Sequence, residues 1–326
     1  MFFKTNIFSI SFCIIFSALT FVFAVDEEAS MAGFMFLDNP TAPRQIAMGN
    51  GGTALGGYCF VSFNPASFAI NKTPYLSVFV SPRPFDYTIA SIEGIYNINN
   101  IFFGAYIGNH FIDKIIPSDF IDGPQYDKIV SYNGTIISLC AGFNKNNLGL
   151  GIALNGIQER IVAYAAYGIS ASFGITYKLL NDKLAFGVSA LQFGTTTGFL
   201  EETKKFGYGA PLPRSGRLGS AYSDILFGIP YTIVADIVYR DVGRKVTSAS
   251  QLFSRITVPV GLEVWPNKHI ALRMGKRFNY ETEIISFGAG LNYAMLNFDI
   301  AFTITSLVSD VDFNPSFSLV YSLKGK

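Results

Sequence analysis

The chain has 326 residues, of which 50% are hydrophobic and only 14% charged, with a formal net charge of +1. A soluble domain carries about 25% charged residues, so this composition argues against a solvated globular protein. The near-neutral balance excludes a nucleic-acid binder, which would present a basic face.

Residues 1–24 read as an export signal: Lys4 is their sole charge, Ile7 to Phe23 is almost wholly apolar, and Val22-Phe23-Ala24 forms the cleavage site. Cleavage after Ala24 leaves an acidic start, Val25-Asp26-Glu27-Glu28, and removes one Lys and no acid, taking the charge from +1 to 0. Beyond the signal no stretch reaches the roughly 20 apolar residues of a membrane helix. A greasy chain without such a helix leaves a large buried β core or a closed lipid-facing barrel, because only helices and closed barrels satisfy every backbone polar group in a bilayer. Cys13 leaves with the signal. A Cys59–Cys140 disulfide suits an exported protein, but two isolated buried thiols are the blander expectation. With only His110 and His269, and no Cys/His cluster, neither a metal nor a cofactor is expected.

Residues 25–74 carry Gly51-Gly52, Gly56-Gly57, Pro40, Pro43 and Pro65 with no sustained period of two. This predicts a compact, irregular segment that does not span a membrane and sits as a plug inside a barrel or beneath it. From residue 75 to the C-terminus the period-two signal is strong. Ile256, Val258, Val260, Leu262 and Val264 alternate with Arg255, Thr257, Pro259, Gly261 and Glu263, and Leu296, Phe298, Ile300, Phe302 and Ile304 alternate with Asn297, Asp299, Ala301 and Thr303. The predicted strands are 75–82, 87–96, 101–108, 132–143, 147–156, 168–180, 183–194, 214–223, 231–240, 255–265, 269–276, 283–293, 296–304 and 315–323. The eighth is weakest, because Arg214–Ser223 alternates poorly. Short connections, such as Asn97–Asn100, Asn144–Asn147 and Pro266–Lys268, alternate with long ones at 108–130, 156–167, 195–213, 240–254 and 305–315. Outer-membrane barrels show this rhythm, with tight periplasmic turns, long outer loops and lipid-facing apolar side chains at every second position. The predicted fold is therefore all-β, a transmembrane antiparallel barrel of about fourteen strands with an N-terminal plug.

On the inward rows lie Gly142, Gly149, Gly151, Gly174, Gly187, Gly288 and Gly290, which either leave room for the plug or tighten the curvature of the wall. The inward charges read from the strand pattern are Asp236, Arg255, Glu263, Arg273 and Asp299, with Glu263 and Arg273 set to pair across one hairpin. No catalytic site is expected. His110, in the long 108–130 loop beside Asp113 and Asp119, and His269, after a tight turn, fall at opposite ends of the barrel, and a nucleophile needs a base within reach. Gly49-Asn50-Gly51-Gly52 lacks the Lys-Ser/Thr of a phosphate loop. Lys204-Lys205-Phe206-Gly207-Tyr208 reads as an outer loop able to touch lipopolysaccharide phosphates or a partner.

Phe34-Met35-Phe36-Leu37, then Arg44-Gln45-Ile46-Ala47-Met48-Gly49-Asn50-Gly51, then Asn64-Pro65-Ala66-Ser67-Phe68-Ala69 resemble the N-terminal pattern of the PorV/PorQ family. Val260-Gly261-Leu262-Glu263, Ala271-Leu272-Arg273-Met274-Gly275, Phe287-Gly288-Ala289-Gly290-Leu291 and Phe317-Ser318-Leu319 resemble its closing strands. The chain departs from the pattern at Asn50, where the family has a second Gly, and at its Leu323-Lys324-Gly325-Lys326 end, where many barrels finish on an aromatic residue. The resemblance implies a FadL-type outer-membrane barrel in which Asn64, Pro65 and Ala66 kink the plug. Two functions follow from it as expectations: a plugged channel for hydrophobic or amphipathic small molecules, or an accessory or assembly component of a surface-attachment, type IX-like secretion system. Outer-membrane lipid and lipopolysaccharide are the implied surroundings. Fold alone does not choose between the two functions.

Overall fold

The computed structural model describes residues 32–323, apart from 59, 71–72, 117, 120–122, 125–128, 163, 202–203, 207–208, 242, 281 and 308–309. Residues 1–31, which include the predicted export signal, lie outside the described residues, as do Cys59 and the last three residues.

In chain order the strands are β1 (Tyr75–Pro82), β2 (Tyr87–Ile98), β3 (Ile101–Ile115), β4 (Ser118–Asp119), β5 (Gly123–Pro124), β6 (Val130–Lys145), β7 (Leu148–Ile161), β8 (Tyr164–Leu179) and β9 (Leu184–Thr196). They continue with β10 (Phe199–Glu201), β11 (Lys204–Phe206), β12 (Ser215–Leu226), β13 (Ile229–Arg240), β14 (Ile256–Val264), β15 (Ile270–Phe278), β16 (Glu283–Tyr293), β17 (Leu296–Leu307) and β18 (Asp310–Ser322). Fourteen of them form a closed antiparallel barrel. Each pairs with its predecessor in the wall, β9 pairs with both β8 and β12, and β1 closes the ring on β18 through Tyr75↔Ser322 to Val80↔Phe317. The exceptions are the small β4–β5 hairpin and the β10–β11 hairpin, which touches the wall at Leu200↔Ala165.

Side chains decide which face is which. Along β1 buried and exposed residues alternate without a break, with Tyr75, Ser77, Phe79 and Ser81 inside and Leu76, Val78 and Val80 outside. Phe298 is 43% exposed on the outer face of β17, while Asp299 and Ala301 point inward and are buried. Leu148, Leu150, Ile152, Leu154, Phe173, Ile175, Leu319 and Tyr321 extend this outer apolar surface around the ring. A surface of exposed aliphatic and aromatic side chains on a closed barrel is the lipid belt of a membrane protein. No described helix is long and apolar enough to cross a membrane.

Five tight hairpins lie at one end. Their tips carry Asn99, Asn146, Asn181 with Asp182, Phe227 with Gly228, and Ala294 at positive φ. Two-residue hairpins need left-handed tip residues, a conformation that Asn, Asp and Gly adopt most readily. The barrel begins and ends at this same end, where the Leu323 N–H donates to the Pro74 carbonyl.

Two of the long loops predicted from sequence are mostly strand. β7 and β8 run on to a turn at Val162, and β17 and β18 reach Leu307 and Asp310. β3 likewise runs to Ile115, which takes His110 out of the predicted loop and into the wall. The extensions of β3, β7, β17 and β18 bring in Asp113, Gln158, Glu159, Thr305 and Asp312, so they fall outside the apolar alternation that marks a membrane strand. The 195–213 connection does leave the wall, and Leu212 folds back into the core.

The described residues of 32–70 sit within the ring. They form a 3-10 turn (Met35–Asp38), two short helices (Pro43–Ala47 and Ser67–Ile70) and glycine-rich links. Pro43 opens its helix at N1, where its missing N–H costs nothing. Phe34, Phe36, Phe60 and Phe68 pack against Tyr75, Phe102, Tyr106, Ile136 and Ile157 of the wall. On the opposite side Met48, Ala54 and Leu55 meet Ala185, Ala221 and Val234.

Candidate functional site

The wall meets the plug across glycines. A Cβ on Gly151 or Gly174 would collide with Asn64, Pro65 or Ala66, and one on Gly187 with Thr53. A Cβ on Gly261 or Gly275 would strike Met48, and one on Gly142 would meet Phe68 at 2.5 Å. These bare inner faces are the room that the plug backbone occupies. A Cβ on Gly288 would strike the Ile300 carbonyl and come within 2.8 Å of Ala47, while one on Gly290 would meet the Arg273 guanidinium. Gly149 is buried on the same inner face.

The Asn64-Pro65-Ala66 segment is a folded corner. The Asn64 Oδ1 accepts from the Ala66 N–H at 2.9 Å, and its amide donates to the Thr53 carbonyl at 2.8 Å and to the Ile175 carbonyl of the wall at 3.2 Å. The Asn64 carbonyl then receives the Ser67 N–H, starting the helix. Asn64 is fully buried, so each of these bonds replaces one lost to water. Cys140 is free and buried beside the Pro65 carbonyl.

Ionic groups fasten the plug at several levels. Glu263 and Arg273 face each other across β14 and β15, and the Arg273 Nε donates to the Glu263 carboxylate at 2.7 Å. Arg273 Nη1 donates to Asp299 at 2.6 Å. From the plug, Arg44 grips Glu263 with Nε at 2.9 Å and Nη2 at 2.7 Å. Burial alone would depress the Arg44 guanidinium, but the Glu263 carboxylate outweighs it and holds its pKa above the ordinary value. Beside it, burial and the Asp299 charge raise the Tyr58 phenol, although the Arg44 charge and the hydrogen bond with Asn297 oppose this. Higher up, Glu283 accepts from Arg277 at 2.7 Å and from the Asn50 amide at 3.2 Å. Arg240 pairs with Asp38 at 2.8 Å. Arg255, also buried, donates to the Arg244 carbonyl at 2.7 Å.

Asp236 forms the densest contact. Its Oδ2 accepts from the N–H groups of Gly52 and Thr53, both at 2.9 Å, and from the Thr53 hydroxyl at 2.7 Å. Arg217 reaches the same oxygen at 3.3 Å and donates to the Thr53 Oγ1 at 3.0 Å and the Asn50 carbonyl at 2.7 Å. Arg217, Arg44, Arg277 and Glu283 are missing from the charges read from sequence. Arg217 lies on the strand with the poorest alternation, and Arg44 lies in a segment with no period to follow. Counting two residues back from Gly219 would have placed Arg217 inside.

Among the described residues, two cavities flank the plug. One, of about 190 Å³, lies toward the long loops and is lined by Asn50, Val61, Gln192, Arg217, Arg240 and Arg277 among others. The second, of about 350 Å³, lies toward the tight turns, between plug residues 54–58 with Arg44 and wall residues Lys178, Ala185, Ala221 and Ser223. At Gln192, with φ 63°, β9 bulges so that Leu191 and Gln192 both face inward. Gln192 is held there by Ser170 at 2.7 Å and Ser172 at 3.1 Å.

The two histidines stand apart. His110 is buried on the inner face of β3 with its Nδ1 2.8 Å from the Tyr87 hydroxyl, whereas His269 is exposed at a tight turn. The expectation of a loop position for His110 is therefore corrected by the greater length of β3. The side chains of 204–208 lie outside the described residues.

No family model matches the chain, and no curated protein matches it in sequence. Solved structures do match in fold. The CymD monoaromatic hydrocarbon channel superposes with a TM-score of 0.59 at 13% identity, covering 87% of this chain and 98% of that one. The deltaS2 mutant of the TodX monoaromatic hydrocarbon channel gives 0.54 at 14% identity, covering 92% and 99%. A Pseudomonas aeruginosa FadL homologue gives 0.51 at 11% identity, covering 87% and 97%. The chain has the fold of the FadL-type outer-membrane barrels, plugged from within by its own N-terminal segment.

Proposed function

We propose that this protein is an outer-membrane channel for small hydrophobic or amphipathic molecules, held closed by its N-terminal plug. The observation that carries this reading is the pair of cavities on either side of a plug that fills an otherwise closed barrel. The likeness in fold to monoaromatic hydrocarbon channels supports it. The polar groups lining both cavities favour amphipathic over purely hydrocarbon permeants, because an apolar molecule there leaves buried polar atoms without partners. Residues 1–24 act as the export signal, the lipid belt sits in the outer membrane beside lipopolysaccharide, and the N-terminal motifs align the chain with PorV/PorQ proteins within the FadL-type barrels.

The secretion-accessory alternative drew on long loops at 108–130 and 195–213. Part of each segment belongs to the wall or the core, since β3 reaches Ile115 and Leu212 is buried. The test is uptake of radiolabelled toluene and of a labelled medium-chain fatty acid by liposomes holding the purified protein. Uptake above protein-free liposomes is expected for at least one probe. Rates equal to protein-free liposomes for both, from correctly folded barrels, would remove the channel reading.

A further inference from the structure

Three neighbouring strands carry the same three tiers on their inner faces. On β12, Ser215 and Arg217 line the long-loop cavity, Gly219 follows, and Ala221 and Ser223 line the tight-turn cavity. On β9 the order is Leu191, then Gly187, then Ala185. On β13 it is Arg240 and Val238, then Asp236, then Val234 packed on Ala54 and Leu55. The middle tier always meets Thr53, whose carbonyl lies against Gly187, whose Cβ lies 2.8 Å from the place of a Cβ on Gly219, and whose N–H and hydroxyl bind Asp236. Arg217 and Ala221 are only four residues apart, roughly 13 Å along a strand. A single layer of plug therefore separates the two cavities.

We infer that the route through this barrel runs along the inner faces of β9, β12 and β13, and that Thr53-Ala54-Leu55 is the flap that closes it. This rests on the channel reading above. The flap lies between Gly51-Gly52 and Gly56-Gly57, and Gly52 and Gly57 have φ of 139° and 155°, which glycine adopts with little cost. Its latch is Asp236 together with Arg217, the only charged side chains among the described residues to which Thr53 hydrogen-bonds. Below the flap, Ala54 and Leu55 border the tight-turn cavity of about 350 Å³, which gives the flap space to swing into. The second carboxylate oxygen of Asp236 is buried with no hydrogen-bond partner among the described residues. With the flap withdrawn, the narrowest point presents a carboxylate and a guanidinium. A permeant there offers them hydrogen-bonding atoms or brings water.

The test uses the full chain in liposomes, with swelling in arabinose as one readout and uptake of labelled toluene and fatty acid as the other. Thr53→Val removes the hydroxyl bonds at nearly constant volume, and Asp236→Asn removes the latch charge. Ser316→Ala, which breaks the buried bond between the Ser316 and Ser81 hydroxyls on β18 and β1, off the route, is the control. Mobility on unboiled gels establishes that each barrel is closed. Wild type and Ser316→Ala should stay near the protein-free swelling rate, while each latch variant rises about tenfold, the factor for losing one hydrogen bond to a charged group. Folded Thr53→Val protein that swells no faster than wild type overturns the flap, as does Ser316→Ala swelling as fast as the latch variants. Faster swelling of latch variants with no toluene or fatty-acid uptake by wild type supports the flap while removing the hydrophobic-channel reading. Uptake by wild type with swelling unchanged in the variants does the reverse.

Discussion

At Glu263 two guanidinium groups from different parts of the chain converge on one carboxylate that is almost fully buried. Removing one member of such a group leaves uncompensated charge out of water, which costs about 3–5 kcal/mol. Glu263→Gln should lower the stability of the barrel by roughly that amount, read as an earlier midpoint in guanidinium unfolding followed by gel mobility. Arg44→Gln should cost less, because Arg44 is more exposed and Arg273 remains on the carboxylate. Half of this group was legible beforehand: period-two counting puts Glu263 and Arg273 on one face of a hairpin. Arg44 was not, since nothing local in an aperiodic segment says which wall residue it will meet. His110 was misread for a related reason, as strand that rises above the apolar belt loses the alternation that would announce it.

Among the elements, the fourteen wall strands were foreseen in number and order, because each must keep an apolar outer face and a tight turn at one end. Their upper limits were not foreseen, and β7–β8 and β17–β18 replace two predicted loops. The glycine rows were read with two meanings, and at Gly142, Gly151, Gly174 and Gly187 plug atoms stand where a Cβ would lie, whereas at Gly290 wall side chains do. Gly151 and Gly174 are bare because Asn64, Pro65 and Ala66 lie on them. Gly151→Val should therefore force the plug backbone off β7 and cost about 1–3 kcal/mol, the usual penalty of overpacking. Leu150→Val, the adjacent lipid-facing change, should cost under about 1 kcal/mol by comparison. Equal midpoints for the two variants in the same unfolding assay would mean that the plug does not bear on this strand. The plug's own architecture stayed hidden, because its short helices are shorter than one amphipathic repeat and its turns depend on partners in the wall.

For the molecule as a whole, ring closure through β1 and β18 predicts a compact species that survives detergent. Unboiled protein should migrate differently from boiled protein on a gel, and identical migration would contradict a closed wall. The wall is also uneven. β3, β6, β7 and β8 are 14 to 16 residues long, whereas β14 and β15 have nine each. At about 3.4 Å per residue the difference in strand length is roughly 20 Å. The turns at Asn99, Asn146, Asn181, Phe227 and Ala294 share one end, so the surplus height stands at the other, as a parapet on one flank. The long-loop cavity draws much of its lining from β12 to β15, beneath the low flank. A short helix, Ala249–Ser254, leads into β14 on that flank, and the Asn279 amide donates to its Phe253 carbonyl at 2.8 Å. On the channel reading proposed above, a solute bound for the long-loop cavity passes this helix instead of climbing the parapet.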